Sequence, residues 1–360
     1  MVLSSSIAFG IALLTSFALT WPVKQFALYA GFVDRPNARK VHLRPIPLLG
    51  GIAIYVGFVI AIALTVSANM SLEVAGILAG ATLLAITGIL DDGGKLHHQV
   101  KLFVSMPLAA CLLVAMGIRA QVFSAIFVGG TGELLDIILT IFWVVGITAA
   151  FSILDHMDGL CAGIAAVASA FFTLSAALNG QRLVCILAAA ALGASLGFLR
   201  WNFAPAKIFM GDGGAMFLGF LMAALGLKLR PATPHPIAGW LAPVLILAVP
   251  IFDTTLISFS RSRRGMLPFT SPGKDHTAHR LSNRGLGHKR AVLTMYVLGL
   301  IFGGLGLAVP YLRYLELSIL CALLAVTLAM AIIALEHSPY EDQRQFLASD
   351  PPRERPTSVH

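Results

Sequence analysis

Charge is what this sequence has least of. Asp, Glu, Lys and Arg make up 12% of its 360 residues, against about 25% in an average soluble domain. Hydrophobic residues make up 58%, and the mean hydropathy is +0.85. So few charges exclude a soluble protein of this length, and the chain reads as a polytopic membrane protein. Cysteine is scarce as well. Cys111, Cys161, Cys185 and Cys321 lie within or beside apolar runs, with no CxxC spacing. This excludes a thiolate metal site and a disulfide framework, and leaves four small buried hydrophobes. The N-terminus has no basic stretch before its first apolar run and no clear small-residue cleavage site, so that run reads as a retained span. There is no internal repeat and no soluble domain. The net charge of +8 marks cytoplasmic loops and their anionic lipid surface rather than a nucleic-acid partner.

About 20 apolar residues cross a 30 Å hydrocarbon layer. Eleven segments qualify, near 3–23, 49–69, 72–90, 101–119, 134–153, 160–179, 182–200, 213–229, 239–258, 291–311 and 314–336. With alternating sides, the connections near 24–48, 91–100, 154–159, 200–212 and 259–290 fall together with the tail. Of the 25 Lys and Arg residues, all but Arg119, Arg182, Lys228, Arg230 and Arg313 lie on or beside that side. The asymmetry places it in the cytoplasm, with the N-terminus outside and the C-terminus inside. The expectation is an all-α polytopic integral membrane protein, with 1–336 a single transmembrane catalytic domain and 337–360 a polar, loosely ordered cytoplasmic tail.

The unusual residues sit in the cytoplasmic loops. "VDRPNARKVHLRPIPLLGG" offers Arg35, Arg39, Lys40 and Arg44 as either a lipid anchor or a phosphate cradle. "ILDDGGKLHHQ" sets Asp91 and Asp92 at the end of an apolar run, with Lys95, His97 and His98 behind them. Two carboxylates at membrane depth must be paired, protonated or metal-bound, and a helix C-terminus disfavours them further. In "FSILDHMDGLCAG", Asp155 and Asp158 share a face if the stretch is helical, and Gly159 and Gly163 loosen the backbone after them. "RWNFAPAKIFMGDGGAMFLG" sets Asp212 among glycines that let backbone N–H groups approach a ligand, with Phe209 able to stack on a base. The longest loop holds His276 and His279, with Asp275 and Arg280 beside them. HxxH also fits zinc, but no third soft ligand lies nearby. Single loops have bland readings as turns or solvated charge runs. Their coincidence on one side points to Mg²⁺ or Mn²⁺ held by oxygen ligands, with phosphates close by.

In order and spacing, "DRPNARKVHLRPIPLLGG", "DDGGK", "DHMDGL", "NFAPAKIFMGDGGAMFLG" and "DHTAHRL" resemble the polyprenyl-phosphate N-acetylhexosamine-1-phosphate transferases, from about Asp34 to Leu281. The resemblance implies transfer of a hexosamine-1-phosphate, GlcNAc-1-phosphate first, from a UDP-sugar to polyprenyl (undecaprenyl) phosphate, with release of UMP. It also implies Mg²⁺ or Mn²⁺, a bacterial cytoplasmic membrane with the active site facing the cytoplasm, and compatibility with a homodimer. By motif, Asp91 and Asp92 are the catalytic acidic pair and Asp212 the main metal ligand, helped by Asp91. Lys95, Ser152, Asp155, Asp158 and Phe209 line the uridine pocket, supported by Asn202. His276, His279 and Arg280 meet the diphosphate or sugar. Two positions depart from the pattern: Ser152 stands where the family usually has Asn, and Ala278 interrupts the histidine run. A peptidoglycan-precursor transferase would show adjacent histidines, which "DHTAH" lacks. A cation-coupled transporter would show mid-span carboxylates, for which only Asp253 is a candidate.

Overall fold

The computed structural model describes residues 1–34, 45–66, 72–94, 96, 98–127, 129–233, 236–266 and 273–338. Apart from one small hairpin, β1 (Val33–Asp34) antiparallel to β2 (Ile46–Pro47), the described residues build helices. These are α1 (Val2–Tyr29), α2 (Gly50–Thr65), α3 (Leu72–Asp92), α4 (His98–Val100), α5 (Met106–Ala115), α6 (Gly130–Leu154), α7 (Leu160–Leu178), α8 (Arg182–Asn202), α9 (Gly211–Lys228), α10 (Pro236–Ile246), α11 (Ala248–Arg263), α12 (Thr277–Leu281), α13 (Gly287–Ala308) and α14 (Tyr314–Glu336). A π-helical turn, Lys101–Ser105, joins α4 to α5.

Among the described residues, seven helices are long and apolar enough to cross a membrane: α1, α3, α6, α7, α8, the stretch Thr277–Tyr311 and α14. An eighth crossing is counted if α10 and α11, which meet at a 78° bend, form one broken span. Pro250, in the first turn of α11, cannot bond back to Ile246 and crowds its carbonyl, which breaks the helix there. The protein is therefore an all-α polytopic membrane protein. Each of the eleven expected segments falls on a helix or on this bent pair. However, α2 and the Lys101–Ala115 stretch are shorter than a full span.

Between membrane helices, lipid supplies little driving force, so close backbone approach does the work. On α1, Ala8, Ala12, Ser16 and Thr20 recur every fourth residue and are buried. They face α2 and α8, where a Cβ on Gly193 would lie 2.2 Å from the Phe9 carbonyl. The Ser16 hydroxyl closes the contact by donating to the Ala194 carbonyl at 2.8 Å. The central helix is α9, buried from Gly213 to Leu227 and packed on α2, α3 and α6. A Cβ on Gly88 would come within 2.3 Å of the Gly213 nitrogen, and one on Gly51 within 2.2 Å of the Gly214 nitrogen. Gly213 and Gly214, beside Asp212, thus serve helix packing. Cys161 and Cys185 are buried as expected, but Cys111 and Cys321 lie on exposed helix surfaces.

Candidate functional site

The chain ends α3 with two acids that its own macrodipole disfavours, and the two have different partners. Asp92 points at the N-terminus of α9: it accepts from the Asp212 N–H at 2.9 Å and from the Gly213 N–H at 3.3 Å. The positive end of α9 offsets what the end of α3 costs. Gly211 makes this possible. It has φ +74°, and a Cβ there would sit 2.4 Å from an Asp92 oxygen. Asp91 instead faces Lys101. The Lys101 ammonium bonds Asp91 at 2.8 Å and Asp212 at 2.6 Å, joining the ends of α3 and α9 from the π-helical turn. Ser152, near the end of α6, donates to the other Asp212 oxygen at 2.9 Å. The three charged side chains keep between 16% and 25% of their surface exposed, so the cluster is recessed but open to a ligand.

The connection after α6 forms the next wall. It is a turn, not a helix. Burial, and then the charges of Asp212, Asp92 and Asp158, push Asp155 up to about 8. Asp158 accepts from the Ala206 N–H at 2.9 Å. Asn202 ties the turn to the segment before α9, accepting from the Gly159 N–H and donating to the Ile208 carbonyl, both at 3.0 Å. Phe209 is pinned through its backbone, donating to the Pro47 carbonyl at 2.9 Å and accepting from the Gly50 N–H at 3.0 Å. The hairpin, the start of α2 and the start of α9 are thereby held as one rim.

Histidines form a second cluster beside the turn. His276 is buried, and its Nδ1 lies 3.0 Å from the Asp253 carboxylate on α11. The other Asp253 oxygen accepts from the Thr277 N–H at 2.7 Å. His156 stacks on His276 with ring centroids 3.9 Å apart, and its ring lies 4.9 Å from that of His279. Burial, and then the neighbouring His276, hold His156 well below the usual imidazole range. Behind the histidines, Asp275 takes a two-pronged contact from Arg261 at 2.8 and 3.0 Å and a bond from Arg264 at 2.6 Å. Burial opposes ionisation there, but the two guanidinium groups outweigh it and hold Asp275 well below the carboxylate range.

Residues 74–230 match the model of the family described as Glycosyl transferase family 4. The chain is 38% identical over 301 residues to the probable undecaprenyl-phosphate N-acetylglucosaminyl 1-phosphate transferase of Bacillus subtilis (strain 168), covering 82% of each chain. The chain belongs to glycosyl transferase family 4. Another relative is the decaprenyl-phosphate N-acetylglucosaminephosphotransferase of Mycolicibacterium smegmatis, 34% identical over 79% of this chain and 77% of its own. The undecaprenyl-phosphate alpha-N-acetylglucosaminyl 1-phosphate transferase of Escherichia coli (strain K12) is 28% identical over 81% of this chain and 80% of its own.

In this family-4 chain, then, Asp91, Asp212 and Ser152 converge on one point, with Asp92 anchored behind them and Asp155 beside them. Asp155 and Asp158 share a turn rather than a helix face. Asn202 is a buried brace of that turn. Arg280 departs from expectation. It is fully buried and donates to the Asp275 carbonyl, the Leu335 carbonyl, Glu336 and Ser260 at 2.7–3.0 Å. Those bonds commit the guanidinium to joining α11, α12 and α14, not to a diphosphate or sugar. Lys95, His97 and the basic residues of 35–44 lie outside the described residues, as does the tail from 339. Sequence reasoning missed Lys101, His156 and the role of Asp253. Lys101 carried one usable signal, being a lysine at the mouth of a span ten residues after the acidic pair.

Proposed function

We propose that this family-4 chain transfers N-acetylglucosamine-1-phosphate from UDP-N-acetylglucosamine to undecaprenyl or a related polyprenyl phosphate, releasing UMP and starting a cell-envelope glycan. One observation carries the reading: two acids from distant segments, Asp91 and Asp212, converge at a membrane helix end around the single ammonium of Lys101. The lipid phosphate oxygen forms the new bond to the β-phosphorus of the UDP-sugar. The bond from that phosphorus to the UMP oxygen breaks, and UMP leaves with the electron pair. Asp91, 2.8 Å from the Lys101 ammonium, takes the proton from a monoanionic lipid phosphate, and Asp92 keeps the two helix ends in register. Asp155, Asp158 and Phe209 face the nucleotide side. His276 and His279 face the diphosphate and sugar.

The donor set fits a divalent cation. It is made of oxygens, which Mg²⁺ or Mn²⁺ prefer. Its carboxylates also outnumber the one ammonium between them, Lys101. Asp212, with Asp91, would hold the ion, which when bound neutralises the charge of the diphosphate. Purified protein is expected to release UMP from UDP-N-acetylglucosamine only when polyprenyl phosphate and Mg²⁺ or Mn²⁺ are both present. Silence across a panel of UDP-sugars with both present would remove the transferase reading.

The same reading puts the site on the cytoplasmic face of the bacterial inner membrane, with eleven crossings, the N-terminus outside and the C-terminus inside. It is supported by the cationic side, where every Lys and Arg except Arg119, Arg182, Lys228, Arg230 and Arg313 falls. A fluorescent reporter fused after residue 338 is expected to fold in the cytoplasm. A periplasmic phosphatase at the same point is expected to be inactive, and the opposite pair of results would invert the topology.

A further inference from the structure

The HxxH pair has too few ligands in sequence to hold a metal. The fold brings two more groups to it, from 120 residues upstream and 23 residues upstream of His276. One ligand atom from each of His156, Asp253 and His276 lies within 4.8 Å of the others. His156 carries the decisive detail. Its Nδ1 lies 3.1 Å from the Ile153 carbonyl, which can only accept, so Nδ1 carries the proton. Its Nε2 is then a lone pair, and that atom is buried with no hydrogen-bond partner. A buried acceptor left unmatched is costly and rare. An imidazole whose far nitrogen is pinned on a backbone carbonyl, with its near nitrogen bare, has the arrangement of a metal-ligating histidine. Asp253 shows the complementary support: one oxygen is fixed by the Thr277 N–H, and the other is turned to His276 at 3.0 Å. Tetrahedral zinc sets its ligands about 3.3 Å apart. The Asp253–His276 pair is already at that spacing, and reorientation of the His156 ring closes the third side.

The geometry points to a second cation site, formed by His156, Asp253 and His276, for a borderline transition metal of the Zn²⁺ class. Two nitrogens and one oxygen suit that class, and they are poor ligands for Mg²⁺. The two ions therefore sort themselves: oxygen-seeking metal at Asp91 and Asp212, nitrogen-seeking metal at the histidines. Occupancy withdraws His276 from the diphosphate, so Zn²⁺ acts as an inhibitory signal on the same active site. That last step, and only that step, rests on the transferase reading given above.

The metal alone tests the site. Detergent-purified protein, stripped with chelator, is titrated with Zn²⁺ by calorimetry and with Co²⁺ by visible absorption. One equivalent is expected to bind, with the intense bands of four-coordinate Co²⁺. His156→Asn keeps a donor for the Ile153 carbonyl but loses the Nε2 position, and it is expected to bind Zn²⁺ at least tenfold more weakly. Asp253→Asn is expected to do the same. Asp212→Asn, which strips the oxygen site, is expected to bind Zn²⁺ as the parent does. In turnover with Mg²⁺, micromolar Zn²⁺ is expected to suppress UMP release by the parent and to spare His156→Asn. The site is overturned if the parent binds no Zn²⁺ at tens of micromolar, or if His156→Asn binds it equally well. Absence of turnover in the parent would remove the transferase reading but leave the binding result to stand by itself.

Discussion

Asparagine in place of Asp212 leaves the protein folded and lowers kcat/KM for UMP release by about a thousandfold or more. The fold survives because what holds α9 in place is the backbone of residue 212, whose N–H is capped by Asp92. The Ser152 hydroxyl can still donate to the amide oxygen of the replacement. What goes is the charge. Lys101 loses its 2.6 Å partner and meets an amide N–H₂ instead, so its ammonium shifts wholly to Asp91. The two helix ends no longer share one cation, and the oxygen that would hold Mg²⁺ is neutral. Circular dichroism and the thermal midpoint should stay close to the parent while UMP release disappears. Residual activity above about a tenth of the parent would show that Asp212 is not the anchor of the site.

Methionine in place of Arg280 is expected to lower the thermal midpoint by roughly ten degrees, the scale set by breaking a buried ionic contact, about 3–5 kcal/mol. The side chain is fully buried, and its acceptors include two backbone carbonyls, the Ser260 hydroxyl and the Glu336 carboxylate. Removing it takes the guanidinium from the Glu336 carboxylate, which is almost as buried and keeps the Ser260 hydroxyl at 3.2 Å, and from the Leu335 carbonyl, which keeps the Ser338 N–H at 2.9 Å. Alanine at the exposed Arg290 is the control and should shift the midpoint little. If Arg280→Met melts with the parent but loses substrate affinity, the guanidinium belongs to the substrate after all.

These two residues show what was legible in the sequence. Asp212 could be found because a carboxylate at membrane depth needs a reason, and because it recurs at span ends with Asp91, Asp92, Asp155 and Asp158. Arg280 misleads because its sequence neighbours are histidines. Nothing local shows that Leu335 and Glu336, 55 and 56 positions later, close on it. Lys101 hides in plain view, since a lysine where a span meets the cytoplasm is what charge asymmetry already predicts. His156 reads as spacer in "DHMDG" until the fold stacks it on His276. The packing role of Gly213 and Gly214 is invisible in the sequence, which cannot show that Gly88 and Gly51 approach them from two other helices. Helix positions were readable from hydropathy, whereas α2 and the Lys101–Ala115 stretch are too short for the full spans expected there. The weak apolar signal of 213–229 has a physical reason: α9 is shielded on all sides by protein and needs small residues more than greasy ones.

The bonds from Arg280 to Leu335 and Glu336 also set an order of assembly. The aspartate cluster needs nothing beyond residue 212, and the histidine pair nothing beyond His279. The helix that carries those histidines reaches its final hydrogen bonds only when the end of α14 has been synthesised and inserted. Although α14 buries little of its own surface, its last turn supplies two of the acceptors for a guanidinium that has no water to fall back on. A chain halted by a premature stop within α14 would therefore carry every catalytic candidate and still leave a buried cation with only the Asp275 carbonyl and the Ser260 hydroxyl of the partners named above.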